Sequence, residues 1–274
     1  MKIHPLAAIA SGAVIGADVE IGPFAVIDEH VVIGDGCRIG PHAHITGHTT
    51  IGKGTSIHTG AVIGDEPQDL HYHNEKSFVT IGENCILREY VTIHRGTEEG
   101  SGTVVGDNVL MMAFSHLGHN CIIGNNVVIA NASLLGGRVE VGERAFISAE
   151  VKIHQFVRVG RLAMIGGDNV ITQDMPPFCL LQSDQVQGPN VVGLRRAGMT
   201  ETARNAVRNA IKIYFFRGMA RQSAIEEIRQ SVAICPEVEE FIAFVSTTKR
   251  GICPGRRLKS HKEEDANTTN AATE

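Results

Sequence analysis

Residues 13–33 read AVIGADVEIGPFAVIDEHVVI, and this stretch decides the fold because an isoleucine returns at every sixth position. The same phase holds over 3–63 without a break. It resumes over 81–93 and again over 105–171, with an aliphatic residue or methionine at each sixth position. A sustained hexapeptide repeat of this kind predicts a parallel β-helix.

Each hexapeptide contains its own strand pattern. The residue two places before the repeated aliphatic is small, as in Ala13, Val19 and Ala25. In a strand, residues two positions apart point to the same face. The small residue and the repeated aliphatic therefore both face inward, as in a strand with one buried face. Glycine often follows the aliphatic, as at Gly16 and Gly22, and we expect it to make the sharp bend between strands.

Two segments interrupt the repeat but keep its phase. They are residues 64–80 and 94–104, and we expect both to be loops pushed out of a corner. Loops on a rigid scaffold often carry function. Three cysteines, Cys37, Cys85 and Cys121, occupy the small inward position and are predicted to fill the core.

The composition limits the possible classes of protein. The chain has 274 residues and a formal net charge of −5, which argues against a general nucleic-acid binder. No stretch approaches the roughly 18 apolar residues of a membrane span, and the start of the chain does not resemble a signal peptide. The cysteines show neither metal-ligand spacing nor a disulfide framework, so we expect a cytoplasmic protein.

The repeat ends near Pro176 and Pro177. We therefore predict a β-helix over residues 1–178, a connecting segment with an α-helical domain over 179–253, and a disordered tail over 254–274. Thr200 is a candidate N-cap, after which apolar residues recur at helical spacing. Two further helices are expected at about 223–234 and 237–247.

The predicted helical region is locally basic. Between residues 195 and 222 there are seven lysines and arginines but only one acid, Glu201. Arg204, Arg208 and Lys212 recur at every fourth position, which places them on one helix face. This face is either simply solvated or a docking surface for an acidic partner.

The stretch HLGHNC at 116–121 raises the question of chemistry. His116 and His119 could be a proton-transfer site, surface histidines, or two ligands of a zinc ion completed by a histidine of a neighbouring chain. The spacing alone leaves these interpretations open. Histidines directly after the repeated aliphatic are expected at corners or facing outward: His4, His58, His94 and His154.

Several ordered motifs resemble one known family. They are GDEPQDL at 64–70, REYVTIHRGT at 88–97, HLGHNC at 116–121, HQFVRVG at 154–160 and NVVGLRRAG at 190–198. Together with the repeat, they resemble the acyl-carrier-protein–UDP-N-acetylglucosamine O-acyltransferases, which begin lipid A synthesis. The resemblance extends from the start of the chain to about residue 252.

The resemblance implies a left-handed parallel β-helix followed by a small α-helical domain, in a homotrimer with active sites between subunits. It implies transfer of a 3-hydroxyacyl chain from acyl carrier protein to the glucosamine 3-hydroxyl, without a cofactor or metal. It also implies three hexapeptides per coil, which would stack His119, Gly137 and Gln155 in one column. No serine or cysteine nucleophile falls beside His119, so the substrate hydroxyl is expected to attack directly.

Roles for single residues follow from the resemblance. His119 resembles the general base, and Gly137 resembles the oxyanion donor through its backbone N–H. Arg204, Arg208 and Lys212 are then expected to dock the carrier protein. The remaining substrate contacts implied are Gln68, Asp69, His71, His94, His116, Arg138, His154, Gln155, Gly167, Asn190 and Arg196.

The chain departs from the family pattern at Asn120, Arg138, Val192 and Ala197, where the family commonly has an acidic residue, histidine, an acidic residue and a basic residue. These departures leave two rivals open: an N-acyltransferase on a UDP-amino sugar and a zinc hydratase on the same scaffold. A non-enzymatic scaffold is disfavoured. Gly167 matches the position that limits acyl length, and an acyl chain climbing the His119 column predicts a preference for chains longer than ten carbons.

Overall fold

The computed structural model describes residues 1–256, whose strands form three sheets that wind around one axis as a β-helix. The first sheet contains Lys2–Ile3, Glu20–Ile21, Arg38–Ile39, Ser56–Ile57, Ile86–Leu87, Leu110–Met111, Val128–Ile129, Phe146–Ile147, Met164–Ile165, Cys179–Gln182 and Gln185–Pro189. The second contains Ala8–Ile9, Val26–Ile27, His44–Ile45, Val62–Asp65, Thr92–His94, His116–Leu117, Leu134–Leu135, Lys152–Ile153 and Val170–Ile171. The third contains Val14–Ile15, Val32–Ile33, His48–Ile51, Phe78–Ile81, Gly102–Val105, Ile122–Ile123, Glu140–Val141 and Arg158–Val159. Four helices follow: Val191–Arg196, Glu201–Phe216, Arg221–Ser231 and Pro236–Ser246.

The strand register confirms a coil of three hexapeptides. Ile3 pairs in parallel with Ile21, the repeated aliphatic of the third hexapeptide after it. Each of the two predicted loops makes one coil longer than the others. Ile57 therefore pairs with Leu87, and the first loop lies between them in the sequence. Both loops insert whole numbers of hexapeptides, which explains why the phase survives them.

The inward positions are those that the alternation predicts. Val19 and Ile21 are fully or nearly fully buried, whereas Glu20 between them faces outward. The predicted core cysteines are also completely buried. Each buried isoleucine contributes about 1.5–3 kcal/mol to folding, and the parallel ladders satisfy the backbone.

The corner glycines have a different role from the one predicted. Gly34 does not have a positive φ, but a Cβ there would lie 2.7 Å from the backbone nitrogen of Lys53 in the next coil. Glycine is needed because successive corners stack too closely for a side chain. The left-handed bend falls two positions later, as at Gly36 with φ of 68° and Phe24 with φ of 60°.

The predicted helices are present with shifted ends. Thr200 caps the longest, because its Oγ1 accepts a hydrogen bond of 3.2 Å from the Ala203 N–H. The other two begin at Arg221 and at Pro236, slightly earlier than predicted. Pro236 is tolerated because the N–H groups in the first turn of a helix have no acceptor within the helix. The N–H that proline lacks would therefore make no helical hydrogen bond at this position.

The connecting segment is more regular than expected. The strand Cys179–Gln182 extends the first sheet beyond the predicted boundary at 178, because Leu181 pairs with Ile165 and is fully buried. It turns back antiparallel into Gln185–Pro189. Of the predicted tail, Gly255 still forms a bridge with Val186, and the stretch 257–274 lies outside the described residues. Among residues 1–256, no helix combines the length and the apolar character that a bilayer span needs.

Candidate active site

The predicted column exists at the corners that lead from the second sheet to the third, here named the His119 edge. His119, Gly137 and Gln155 occupy equivalent positions in successive coils. The corners are tied together because the Arg138 N–H donates to the His119 carbonyl at 2.8 Å. A Cβ on Gly137 would lie only 2.3 Å from His119 Nε2, so the glycine allows its backbone to sit directly against the imidazole.

A cavity of about 360 Å³ opens on the His119 edge. The residues that line it include seven predicted from the sequence: Gln68, His94, His116, His119, Gly137, His154 and Gln155. Asp69 lies beside it, with Oδ2 at 3.8 Å from His119 Nε2. His71 does not line the cavity, since its ring is 95% exposed and contacts Asp69 from the solvent side.

Hydrogen bonds determine which nitrogen of His119 carries its proton. The Thr97 backbone N–H and hydroxyl donate to Asn120 Oδ1 at 3.1 and 3.0 Å. A backbone N–H can only donate, so the amide atom it faces must be the oxygen. That same oxygen lies 2.9 Å from His119 Nδ1, which must therefore be the donor. The neutral ring consequently has its lone pair on Nε2.

The Gly137 N–H is available for a ligand. It donates no hydrogen bond to any residue within the described range 1–256. Because Gly137 packs directly against Nε2, a hydrogen-bond donor and a base belong to the same small region of the cavity. Such a pair can bind a developing oxyanion while removing a proton from an attacking hydroxyl.

Two further histidines line the cavity, His94 buried and His116 half-buried. His94 is only 6% exposed, contrary to the prediction of an outward corner residue, because it begins the second inserted loop and the chain covers it. Its ring meets that of His116 edge-on at 4.9 Å. Burial, with a smaller contribution from His94, lowers the pKa of His116 to about 4, and burial also lowers the pKa of His94. Both rings are therefore favoured in the neutral form.

Arg138 is not among the residues that line the cavity, although it was predicted to contact substrate. Its guanidinium instead forms an ion pair with Glu98 from the second inserted loop. It also lies 5.7 Å from the Phe156 ring centroid. The arginine therefore ties the loop to the coil that carries Gly137.

The predicted nucleotide-side residues lie elsewhere. Asn190 and Arg196 line a cavity of about 590 Å³ on the outer face of the first sheet, together with Phe146 and Met164. This cavity shares no lining residue with the His119 edge. The Asn190 amide also has an internal role, because it accepts from the Gly193 N–H and donates to the Leu162 carbonyl.

Gly167 also lies away from the predicted column. It follows the strand Met164–Ile165 of the first sheet, and its nearest non-neighbour atom, the Ala149 carbonyl oxygen, would be 3.2 Å from an added Cβ. Along the chain, Gly167 follows His119 after two whole coils and two further hexapeptides. The two further hexapeptides place it on a different edge of the β-helix. The prediction that Gly167 lies in the same column as His119 is therefore wrong, and the preference for long acyl chains stays a prediction.

The predicted docking face is partly occupied by internal contacts. Arg204 is half-buried, and its guanidinium donates to the Met199 carbonyl, whereas Arg208 and Lys212 are exposed. Within residues 1–256, no group of three or more histidine, cysteine, aspartate or glutamate side chains is arranged to hold a metal ion.

Sequence reasoning missed three residues that support the site. Thr97 fixes Asn120, Glu98 binds Arg138, and the Thr92 hydroxyl lies 2.7 Å from His116 Nδ1. Thr92 could have been found, because the strand register places it beside His116. Thr97 and Glu98 are in an inserted loop, where the repeat gives no register.

Comparisons with known proteins agree with the geometry. The second-domain profile of UDP-N-acetylglucosamine O-acyltransferase matches residues 174–253, and the bacterial hexapeptide transferase profile matches 30–65 and 102–137. An acyl-[acyl-carrier-protein]–UDP-N-acetylglucosamine O-acyltransferase of Aquifex aeolicus is 53% identical over 92% of this chain and 98% of its own. One from Chlorobaculum parvum is 50% identical over 91% and 96%.

Solved structures give the same result. A UDP-N-acetylglucosamine acyltransferase of Bacteroides fragilis superposes with a TM-score of 0.89 at 39% identity, covering 91% of this chain and 98% of its own. One from Campylobacter jejuni gives 0.87 at 37% identity, covering 93% and 100%. The chain belongs to the acyl-[acyl-carrier-protein]–UDP-N-acetylglucosamine O-acyltransferase family.

Proposed function

We propose that the protein transfers a 3-hydroxyacyl chain from acyl carrier protein to the glucosamine 3-hydroxyl of UDP-N-acetylglucosamine, the first step of lipid A synthesis. The observation that carries this proposal is the packing of His119 Nε2 against Gly137, whose N–H has no acceptor among residues 1–256. The substrates are inferred from the names of the relatives, and the reaction mechanism is inferred from the residues of the cavity.

The reaction follows from these two groups. His119 Nε2 removes the proton of the sugar hydroxyl as its oxygen attacks the thioester carbonyl. The Gly137 N–H stabilises the oxyanion of the tetrahedral intermediate. When the intermediate collapses, the C–S bond breaks and the imidazolium returns its proton to the thiolate of the carrier. The cavity-lining residues within the described chain include no serine or cysteine, in keeping with direct attack.

The active unit is proposed to be a homotrimer. Asn190 and Arg196 line a cavity on the first sheet, whereas the base lies at the opposite corner of the triangular coil. A neighbouring copy could bring its first-sheet face against the His119 edge and so complete one site. Support comes from exposed apolar side chains along the coils, such as Phe114 at 61% and Ile122 at 51%, which a monomer would leave in water.

The exposed Arg208 and Lys212 are proposed to dock acyl carrier protein through charge complementarity. Arg204 contributes less, because it already donates to the Met199 carbonyl. A cytoplasmic location, inferred from the sequence, remains part of this proposal.

The alternatives are less well supported. The relatives are named O-acyltransferases, which favours a hydroxyl acceptor over an amine. A zinc hydratase would need a ligand set that the described residues of one chain do not provide.

One assay tests the proposal. Purified protein is mixed with 3-hydroxyacyl carrier protein and with UDP-N-acetylglucosamine or its 3-amino analogue, and acyl transfer is followed. We expect transfer to the hydroxyl, and a loss of about 10²–10⁴ in kcat for His119→Ala, the usual contribution of a positioned base. Near-normal turnover by folded His119→Ala protein would end the assignment. In the same assay, Arg208→Glu with Lys212→Glu should raise the KM for the carrier.

A further inference from the structure

Glu98 connects the two halves of the candidate machinery. On one side its carboxylate pairs with the Arg138 guanidinium. On the other side it accepts from Asn120 Nδ2 at 3.5 Å. Asn120 directly follows the base His119, and Arg138 directly follows the oxyanion glycine. Glu98 thus bridges the coil of the base and the coil of the oxyanion donor.

The loop around Glu98 is held in place. The Glu98 N–H donates to Ser101 Oγ at 3.0 Å, and the Ser101 hydroxyl donates back to the Glu98 carbonyl at 2.8 Å. Partial burial acts to raise the pKa of the Glu98 carboxyl, but the Thr97 hydroxyl and the Arg138 charge outweigh it and leave that pKa below its usual range. Glu98 is therefore negative at neutral pH.

Charged and titratable groups surround His119 from several elements. Asp69, from the first inserted loop, faces Nε2, and His94 lies close enough to affect the ring electrostatically. On the Nδ1 side the direct neighbour is the neutral Asn120 amide. Beyond that amide stand Glu98 and its partner Arg138. The Glu98 charge therefore reaches the imidazole only across the intervening amide.

We propose that Glu98 is a positioning residue for His119, orienting the Asn120 amide and supplying through it the negative charge that favours the imidazolium. Arg138 weakens that charge while it anchors the carboxylate. The inference rests on the proposed function, in which the imidazolium forms during acyl transfer. It explains how a base can work beside an uncharged asparagine.

The pH dependence of kcat/KM separates an electrostatic role from a purely structural clamp. Glu98→Gln keeps the shape and hydrogen-bonding oxygen but loses the charge. We expect kcat to fall about three- to tenfold, the effect of one partly solvated charge, and the ascending limb of the profile to move to lower pH. Arg138→Gln should move the same limb to higher pH, because the Glu98 charge is then unopposed. A structural clamp predicts equal losses for both variants with no shift of opposite sign.

Two controls complete the experiment. Glu29→Gln makes the same change at an exposed position of the His119 edge in an N-terminal coil and should leave the profile unchanged. The double variant Glu98→Gln, Asn120→Asp should return the limb towards higher pH, because a carboxylate then faces Nδ1 directly. Shifts in the same direction for Glu98→Gln and Arg138→Gln, or no shift in either, overturn the inference. If His119→Ala is inactive while Glu98→Gln behaves as wild type, only the role of Glu98 falls; an active His119→Ala variant removes the proposed function itself.

Discussion

Two kinds of corner in this β-helix share a backbone but differ in what they do with one N–H group. At some corners where the third sheet leads to the first, a side chain of the next coil accepts that N–H: Asp35 accepts from Ala17 at 2.7 Å, and Asn125 from Asp107 at 2.8 Å. At the same hexapeptide position on the His119 edge, the Gly137 N–H has no partner within residues 1–256. The corner N–H is therefore a recurring feature of the coil, bonded to a side chain at corners such as Ala17 and free for a ligand at Gly137.

Among variants that compare the two kinds of corner, the largest effect is expected from giving the Gly137 N–H an acceptor. Gln155 lies one coil after Gly137, just as Asp35 lies one coil after Ala17. Gln155→Asp should place a carboxylate where it accepts the Gly137 N–H and repels an oxyanion. We expect kcat to fall by about 10²–10³, the loss seen when one oxyanion donor is removed. Steady-state kinetics with acyl carrier protein substrate measure it.

Gln155→Ala is the matched control, since it removes the amide without offering an acceptor. It should cost less than Gln155→Asp. Equal losses in the two variants would mean that the Gly137 N–H does not receive the oxyanion.

The two regions also differ in what they bury. The coil interior is mainly aliphatic, whereas the cavity holds the half-buried His116, whose pKa is lowered to about 4. The unfolded ring takes a proton at about pH 6.5, so between about 6.5 and 4 the unfolded state binds more protons. Stability should fall in this window as the pH drops, by up to about 1.4 kcal/mol per pH unit from this group.

His116→Phe should flatten that part of the stability profile. Denaturant unfolding of both proteins at several pH values between 4 and 7 measures the difference. An equally steep decline in His116→Phe would place the acid sensitivity at other groups.

The smallest effect is expected at the corner where Asp35 accepts the Ala17 N–H. Asp35→Ala leaves the Ala17 N–H to water and should lower the free energy of unfolding by roughly 1 kcal/mol, the net value of one hydrogen bond. Turnover should not change, because Asp35 lies several coils away from the cavity. A fall in kcat without loss of stability would contradict the division between structural and catalytic corners.

Much of the candidate site was predictable because it follows the repeat. Once the resemblance supplied three hexapeptides per coil, the column of His119, Gly137 and Gln155 was fixed by counting, and the strand register confirms it. Gly167 was wrongly assigned to this column, although the count itself places it off the column, because its separation from His119 is not a whole number of coils. It also could not place Thr97 and Glu98, since an inserted loop has no period to count.

The sequence by itself determined the β-helix, its inward residues and the helix that begins after Thr200, because each depends on local periodicity and capping. Only the tertiary structure decided which loop atoms meet His119. Those contacts join residues from separate coils, such as Thr97 with Asn120, and depend on how an aperiodic loop folds back. The burial that keeps His116 neutral was likewise decided by the surrounding coils, since desolvation depends on everything packed around a group and not on its sequence neighbours.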